Sequence, residues 1–287
     1  MPAVFAPAKI NLYLHVTGRR DNGYHLLDSL TVFARDIADR LTFTPAPSFS
    51  LNITGPFADA SNSGLMEDNL VLRAAKAVAR ACGRDDGFSI TLEKNIPMGA
   101  GLGGGSADAA AAVRALEQLW GAELGDAERD ALLLKLGADV PVCYRAATSR
   151  FEGIGDVVTP VDTALPEFHL LLLCPDAHTV TKDVFGAREK AFGERAADVP
   201  RGAGFEDFIS WLSLTRNDLE DAAQALTPQI KEALNFLSEL SGCRLARMSG
   251  SGSCVFGIFE SAEACRIAAE DCRKFRPQWW AQATQIL

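Results

Sequence analysis

Between residues 9 and 16 the chain alternates, with Ile10, Leu12, Leu14 and Val16 on one side and Lys9, Asn11, Tyr13 and His15 on the other. A period of two marks a strand with one buried face, so this segment predicts a half-buried β-strand. The run Arg19-Arg-Asp-Asn-Gly-Tyr-His25 contains the Asn-Gly pair typical of a tight hairpin, and residues 26–33 read as the returning strand. Strand patterns recur at 40–44, 48–54 and 88–94, which makes five strands before position 95. Helical spacing follows from a cap at Asp68 to about Ala81, then at 106–120 and 126–136. Gly137-Ala-Asp-Val-Pro141 reads as a break with an acid inside it.

After two short strands at 149–152 and 156–161, the pattern changes near 160–166, which places a first domain at 1–162 and a second at 163–287. The second opens with a buried strand at 168–174, followed by a helix from about Lys182 and two helices between 217 and 240. A strand-loop-strand at 244–259, a helix at 262–274 and a strand at 280–286 complete it. That order suggests a small antiparallel α+β sandwich of the ferredoxin-like type. The segment 194–205, rich in Gly, Ala, Pro and charge, reads as a mobile loop.

Composition narrows the function. With 48% hydrophobic and 23% charged residues, the 287-residue chain can bury a sizeable core. A net charge of -9 argues against nucleic-acid binding, which rests on clustered Lys and Arg, while a small anionic ligand held by local donors is still allowed. The seven cysteines are scattered and contain no C-x-x-C pair, so buried reduced thiols are expected. The first residues lack a signal-like pattern, and the most apolar strand, 170–174, falls far short of the roughly 20 residues that a membrane helix needs. These features predict a cytoplasmic protein with no membrane or nucleic-acid partner; a monomer or weak homodimer is the expected state, which no feature of the sequence fixes.

The chemistry concentrates in Pro97-Met-Gly-Ala-Gly-Leu-Gly-Gly-Gly-Ser-Ala-Asp108, which has five glycines between 99 and 105 and runs directly into an alanine-rich helical stretch. Glycines let backbone approach a ligand, and a helix N-terminus adds unpaired N–H donors, so the loop is built for phosphate. It formally matches the dinucleotide pattern G-x-G-x-x-G, but a second helical pattern follows where a parallel strand is needed. No Gly-Lys-Ser/Thr closes it as a Walker loop either.

Pro7-Ala-Lys9-Ile-Asn11, the glycine loop and Met248-Ser-Gly-Ser-Gly-Ser-Cys254 occur in the order found in the GHMP kinase superfamily, which this chain resembles. Gly23-Tyr-His25 and Gly137-Ala-Asp-Val-Pro141 draw it toward the branch that acts on a cytidine diphosphate-linked polyol. The resemblance implies an α+β, two-domain fold, with an N-terminal domain like domain 2 of ribosomal protein S5, a ferredoxin-like C-terminal domain and an active site between them. It implies ATP with Mg²⁺ as phosphate source, bound by Pro97, Met98, Gly99, Ala100, Gly101, Leu102, Gly103, Gly104, Gly105, Ser106 and Ala107, with adenine contacts at Asn69 and Lys94. Many relatives carry a second serine where this chain has Ala107, which leaves Ser106 as the hydroxyl for phosphates or metal. Asp139 becomes the group that accepts the proton of the attacking hydroxyl, Lys9 its cationic partner, and Asn11 a substrate contact. Tyr24 and Phe185 would sandwich cytosine while His25 reads its edge. No metal ligands are assigned to His15, His169 or His178. Two alternatives stay open: another small alcohol such as mevalonate, homoserine or a sugar, and an ATP sensor without turnover, which would need neither Lys9 nor Asp139.

Overall fold

The computed structural model describes residues 3–58 and 66–287, which group into two compact units interleaved along the chain. One lies within Met1–Lys9, Ile37–Met98 and Gly103–Ala146, the other within Ile10–Asp36, Gly99–Leu102 and Ala147–Leu287. Strands β1 (Val4–Arg19) and β2 (His25–Ala46) pair with each other, and each contributes residues to both units. The strands expected separately at 26–33 and 40–44 are therefore one 22-residue strand, and among the described residues four strands, not five, precede the glycine loop. The polar stretch between them stays extended because Ala34 bridges Ile286 and the Asp36 N–H is accepted by Thr284 Oγ1 at 3.3 Å. These are distant partners that local propensity does not register.

In the first unit, Arg40–Ala46 of β2 pairs antiparallel with β4 (Gly87–Glu93), and β3 (Ser50–Thr54) lies parallel to β4. Helix α1 (Leu70–Ala81) begins after Asn69, whose Oδ1 accepts the Val71 N–H at 2.9 Å, so Asn69 and not Asp68 is the cap. It packs on α2 (Gly104–Trp120), where buried Ala107, Ala109 to Ala112 and Ala115 permit close approach. Helices α3 (Asp126–Leu136) and α4 (Val140–Arg145) complete the unit. The break expected at 137–141 thus contains a helix start, because Pro141 lies in the first turn, where a missing N–H costs nothing.

In the second unit, residues 27–31 of β2 pair with β5 (Ser149–Gly153), and β5 with β6 (Val157–Pro160). A four-stranded antiparallel sheet has the order β10-β7-β9-β8, made from β7 (His169–Cys174), β8 (Leu245–Met248), β9 (Val255–Phe259) and β10 (Trp280–Gln285). Helices α5 (Thr181–Gly186), α6 (Phe205–Ser213), α7 (Glu220–Leu226) and α8 (Pro228–Glu239) join β7 to β8, and α9 (Ala262–Phe275) joins β9 to β10. A first-to-last strand order of 4-1-3-2 with crossover helices is the ferredoxin-like arrangement. Leu171 and Leu173 share the core with Ile230, Ala233 and Leu237 of α8 and Cys265, Ala268 and Ala269 of α9.

The loop expected to be mobile is anchored. Glu194 O meets His15 Nδ1 at 3.0 Å, the Ala196 N–H is accepted by buried Asp28 at 2.7 Å, and Arg150 donates to Ala196 O and Asp198. Its last residue opens α6, a helix that the sequence reading missed. All seven cysteines are free thiols, and among the described residues no helix is long and apolar enough to cross a membrane.

Candidate active site

β1 is buried on both faces, contrary to the half-buried strand expected. Lys9 is 3% exposed, Asn11 1%, Tyr13 1% and His15 2%. Buried polar groups require partners, and each of these has one. Lys9 Nζ donates to Asp139 Oδ2 at 2.8 Å. Asn11 Nδ2 donates to Ser29 Oγ at 2.8 Å, while its Oδ1 is buried with no hydrogen-bond partner.

Asp139 stands at the N-cap position of α4, yet its carboxylate caps nothing. It is held at the rim because Val140, Val142 and Cys143 are buried and because Arg114 of α2 donates to the carbonyls of Cys143 and Tyr144, both at 2.9 Å. The Asp139 side chain is 34% exposed against 4% for Lys9, so the pair presents a carboxylate outward and keeps the ammonium beneath. The alkyl chain of Lys9 also lies against Gly103. A Cβ there would meet Lys9 Cε at 3.1 Å and Cβ at 3.2 Å, and Gly103 takes the left-handed φ of +64°.

Gly103 precedes α2, whose start has no side-chain cap and no acid in its first turn. The first helical bond is from Ala107 N to Gly103 O, which leaves the N–H groups of Gly104, Gly105 and Ser106 directed outward with the positive end of the helix dipole. Ala107 is 1% exposed and spends its own N–H in the helix. Below this turn Lys94 donates to Asp39 and, at 2.7 Å, to Asp108. Asp39 also accepts the backbone N–H groups of Asn95 (2.6 Å) and Ile96 (2.9 Å), just before Pro97. One buried ion cluster thus ties the strand entering the loop to the helix leaving it. Burial holds the Asp108 carboxyl well above the ordinary carboxylate range, with Lys94 opposing that rise and Asp39 adding to it.

In the second unit, the loop residues Gly99–Leu102 are seated on the serine-glycine turn. Ser249 Oγ donates to Gly101 O at 3.0 Å, Cys254 N donates to Ala100 O at 3.0 Å, and a Cβ on Gly101 would fall 2.2 Å from Ser249 O. Ser249, Ser251 and Ser253 are all buried, with hydroxyls on Gly101, Thr181 and Ala177. Asn217 Nδ2 braces the turn at the carbonyls of Met248 and Gly250, both at 2.8 Å. His178 comes within 3.4 Å of a Cβ placed on Gly99.

In the same unit, Tyr24 is 60% exposed at the β1–β2 hairpin, and His25 stacks on Phe185 of α5 with centroids 4.8 Å apart at 21°. Burial, helped by Arg19 and Arg188, holds His25 below its ordinary pKa.

The family model for the GHMP kinases N terminal domain matches residues 69–158, and that for GHMP kinases C terminal matches residues 200–276. The 4-diphosphocytidyl-2-C-methyl-D-erythritol kinase of Cereibacter sphaeroides (strain ATCC 17029 / ATH 2.4.9) is 46% identical over 288 residues, covering 100% of both chains. The chain belongs to the GHMP kinase family. Paramagnetospirillum magneticum supplies another relative of this GHMP kinase with the same name, 43% identical over 99% of this chain and 98% of its own. A crystal structure of 4-(cytidine 5'-diphospho)-2C-methyl-D-erythritol kinase superposes with a TM-score of 0.78 at 36% identity, covering 99% of each chain. Homoserine kinase from Cytophaga hutchinsonii reaches a TM-score of 0.75 at 17% identity, covering 99% of this chain and 94% of its own, and shows the fold alone.

Some residues of this GHMP kinase escaped the sequence reading. Asp39 is hidden in an apparently polar linker. Asp108 was visible as a lone acid in an alanine run, a signal that goes unused without its lysine. Asn217 and His178 lie far from any motif in sequence.

Proposed function

We infer that this chain transfers the γ-phosphoryl group of ATP to the 2-hydroxyl of 4-diphosphocytidyl-2-C-methyl-D-erythritol, a step of the non-mevalonate route to isoprenoid precursors. The observation that carries the reading is the Lys9–Asp139 pair: a carboxylate at a helix cap position that does not cap, bonded to a buried lysine packed on the glycine loop. An ATP sensor has no use for such a pair. Full-length relatives at 42–46% identity that carry this enzyme's name support the choice of substrate.

In the proposed reaction, the 2-hydroxyl oxygen forms a bond to the γ-phosphorus as the bond from that phosphorus to the β–γ bridging oxygen breaks, and ADP leaves. The hydroxyl proton passes to Asp139, whose Oδ2 is engaged by Lys9, so Oδ1 is the oxygen that takes it. Phosphoryl transfer depends on positioning and on spreading charge. The N–H groups at the start of α2 supply both to the phosphate oxygens. Mg²⁺ supplies further charge neutralisation when it is bound. The chain fits it through the Ser106 hydroxyl in the first turn of α2, a hard oxygen donor of the kind that Mg²⁺ takes together with phosphates.

Asn69 and Lys94 are proposed for adenine, Lys94 acting from within its pair of carboxylates. Asn11 is proposed for the substrate, its unpartnered Oδ1 offering an acceptor. Tyr24, His25 and Phe185 are proposed for cytosine, in a cytoplasmic enzyme that works as a monomer or weak homodimer. The proposed division after residue 162 is supported by the two family matches, which fall on either side of it.

Asp139→Asn deletes the proton acceptor with almost no change of shape. Loss of a general base costs about 10²- to 10⁴-fold, so steady-state assays should show kcat down by at least about 100-fold with both KM values near wild type. Retention of more than about a tenth of kcat would make Asp139 structural.

A further inference from the structure

Phe192 is 51% exposed, and Tyr24 is 60% exposed; the two are among the few large aromatic side chains left open to solvent. They come from different segments of the chain. Tyr24 is the chain neighbour of His25, and Phe192 meets that imidazole edge-on with centroids 6.4 Å apart at 61°. The segment carrying Phe192 is fixed on both sides. Before it, the Arg188 guanidinium donates to Lys190 O at 2.6 Å and Ala191 O at 2.7 Å, and lies over the Phe192 ring at 5.4 Å. After it, the Gly193 N–H is accepted by Val16 O at 3.1 Å, and Glu194 O meets His15. An apolar ring held exposed on an anchored backbone loses little entropy when a flat ligand stacks on it.

Phe185 already uses one face of its ring on His25. That leaves the opposite face of Phe185 for a base. Phe192 adds a second exposed ring on the other side of His25, with one face under Arg188 and the other free to stack.

We propose that Phe192, clasped by Arg188, is a nucleobase-binding residue of this site, a stacking wall for the base whose polar edge His25 reads. This rests on the cytidylyl reading above and adds a residue to it. Stacking is indifferent to base identity because every base has a π-face. Phe192 should therefore add affinity for cytosine and uracil nucleotides alike, while discrimination stays with His25.

Calorimetric titration with CDP and UDP tests this on the full chain. Phe192→Ala, an exposed change, should weaken both nucleotides by about fivefold or more, the low end of what one stacked base contributes. The CDP-to-UDP ratio should hold, with the ATP KM within twofold of wild type, and Phe192→Tyr should restore binding. Tyr24→Ala serves as reference. If it weakens CDP while Phe192→Ala binds as wild type does, the role for Phe192 is overturned and the cytidylyl reading survives. A wild-type chain that fails to bind CDP overturns both.

Discussion

Tyr24 is held by its backbone and not by its ring: its N–H is accepted by Asn22 Oδ1 at 3.3 Å and its C=O accepts from Arg20 at 2.8 Å. Truncating the exposed side chain should leave the hairpin intact and remove only what the ring gives a ligand. Tyr24→Ala is expected to raise KM for the cytidylyl substrate about tenfold while leaving the ATP KM unchanged; equal KM values in mutant and wild type would remove Tyr24 from the site. His25 adds a pH dependence. Burial, then Arg19 and Arg188, depress its pKa below the ordinary 6.5, so the imidazole stays neutral at and somewhat below that pH, with one nitrogen a donor and the other an acceptor. KM for the cytidylyl substrate should stay flat from about pH 8 down to 6.5 and rise only below it, and His25→Gln should abolish that acid limb. A rise centred above 6.5 would contradict the assignment. The pairing of Lys9 with Asp139 was legible because both residues lie inside contiguous motifs. The Asp39–Lys94–Asp108 cluster was not legible, because each acid has an innocent local setting and only the fold joins them.

At the scale of elements, α2 is the part proposed to hold the phosphates, and the glycines at its start differ in what surrounds them. Gly101 and Gly103 adopt positive φ and have no room for a Cβ that leaves Ser249 and Lys9 in place, so changing them alters the protein itself. Gly105 lies inside the helix, and a methyl there would meet only Leu70 Cδ1, at 3.8 Å. Gly105→Ala should therefore stabilise the fold by about 0.5–1 kcal/mol, as expected for removing a helical glycine. The same methyl would crowd the phosphates, so the ATP KM should rise severalfold. Thermal melts and ATP titrations on one preparation check both halves; a stabilised variant with unchanged ATP KM would separate α2 from the nucleotide. The helices with long periodic patterns, α2, α3 and α9, were readable in the sequence. Those missed or altered, α4, α6 and the single long β2, are short or depend on partners hundreds of residues away, such as Thr284 for Asp36.

For the molecule as a whole, the net charge of -9 means that the anionic substrates must be recognised by local donors against an unfavourable global sign. Association should therefore be faster at higher salt, where long-range repulsion is screened. Interleaving of the two units, in which β1 and β2 serve both, was not legible in sequence because strand patterns carry no record of which partners each half will find. The ferredoxin-like order of the second half was legible, since its strands are short, apolar and separated by clear helices. The central claim is that this fold phosphorylates a cytidylyl-linked alcohol. Its most direct test is ADP release by the purified chain with ATP and Mg²⁺, offered 4-diphosphocytidyl-2-C-methyl-D-erythritol, mevalonate or homoserine in separate reactions. Turnover with the first alone, lost in Asp139→Asn, is the predicted result; comparable turnover with mevalonate or homoserine, or none with the cytidylyl substrate, would contradict it.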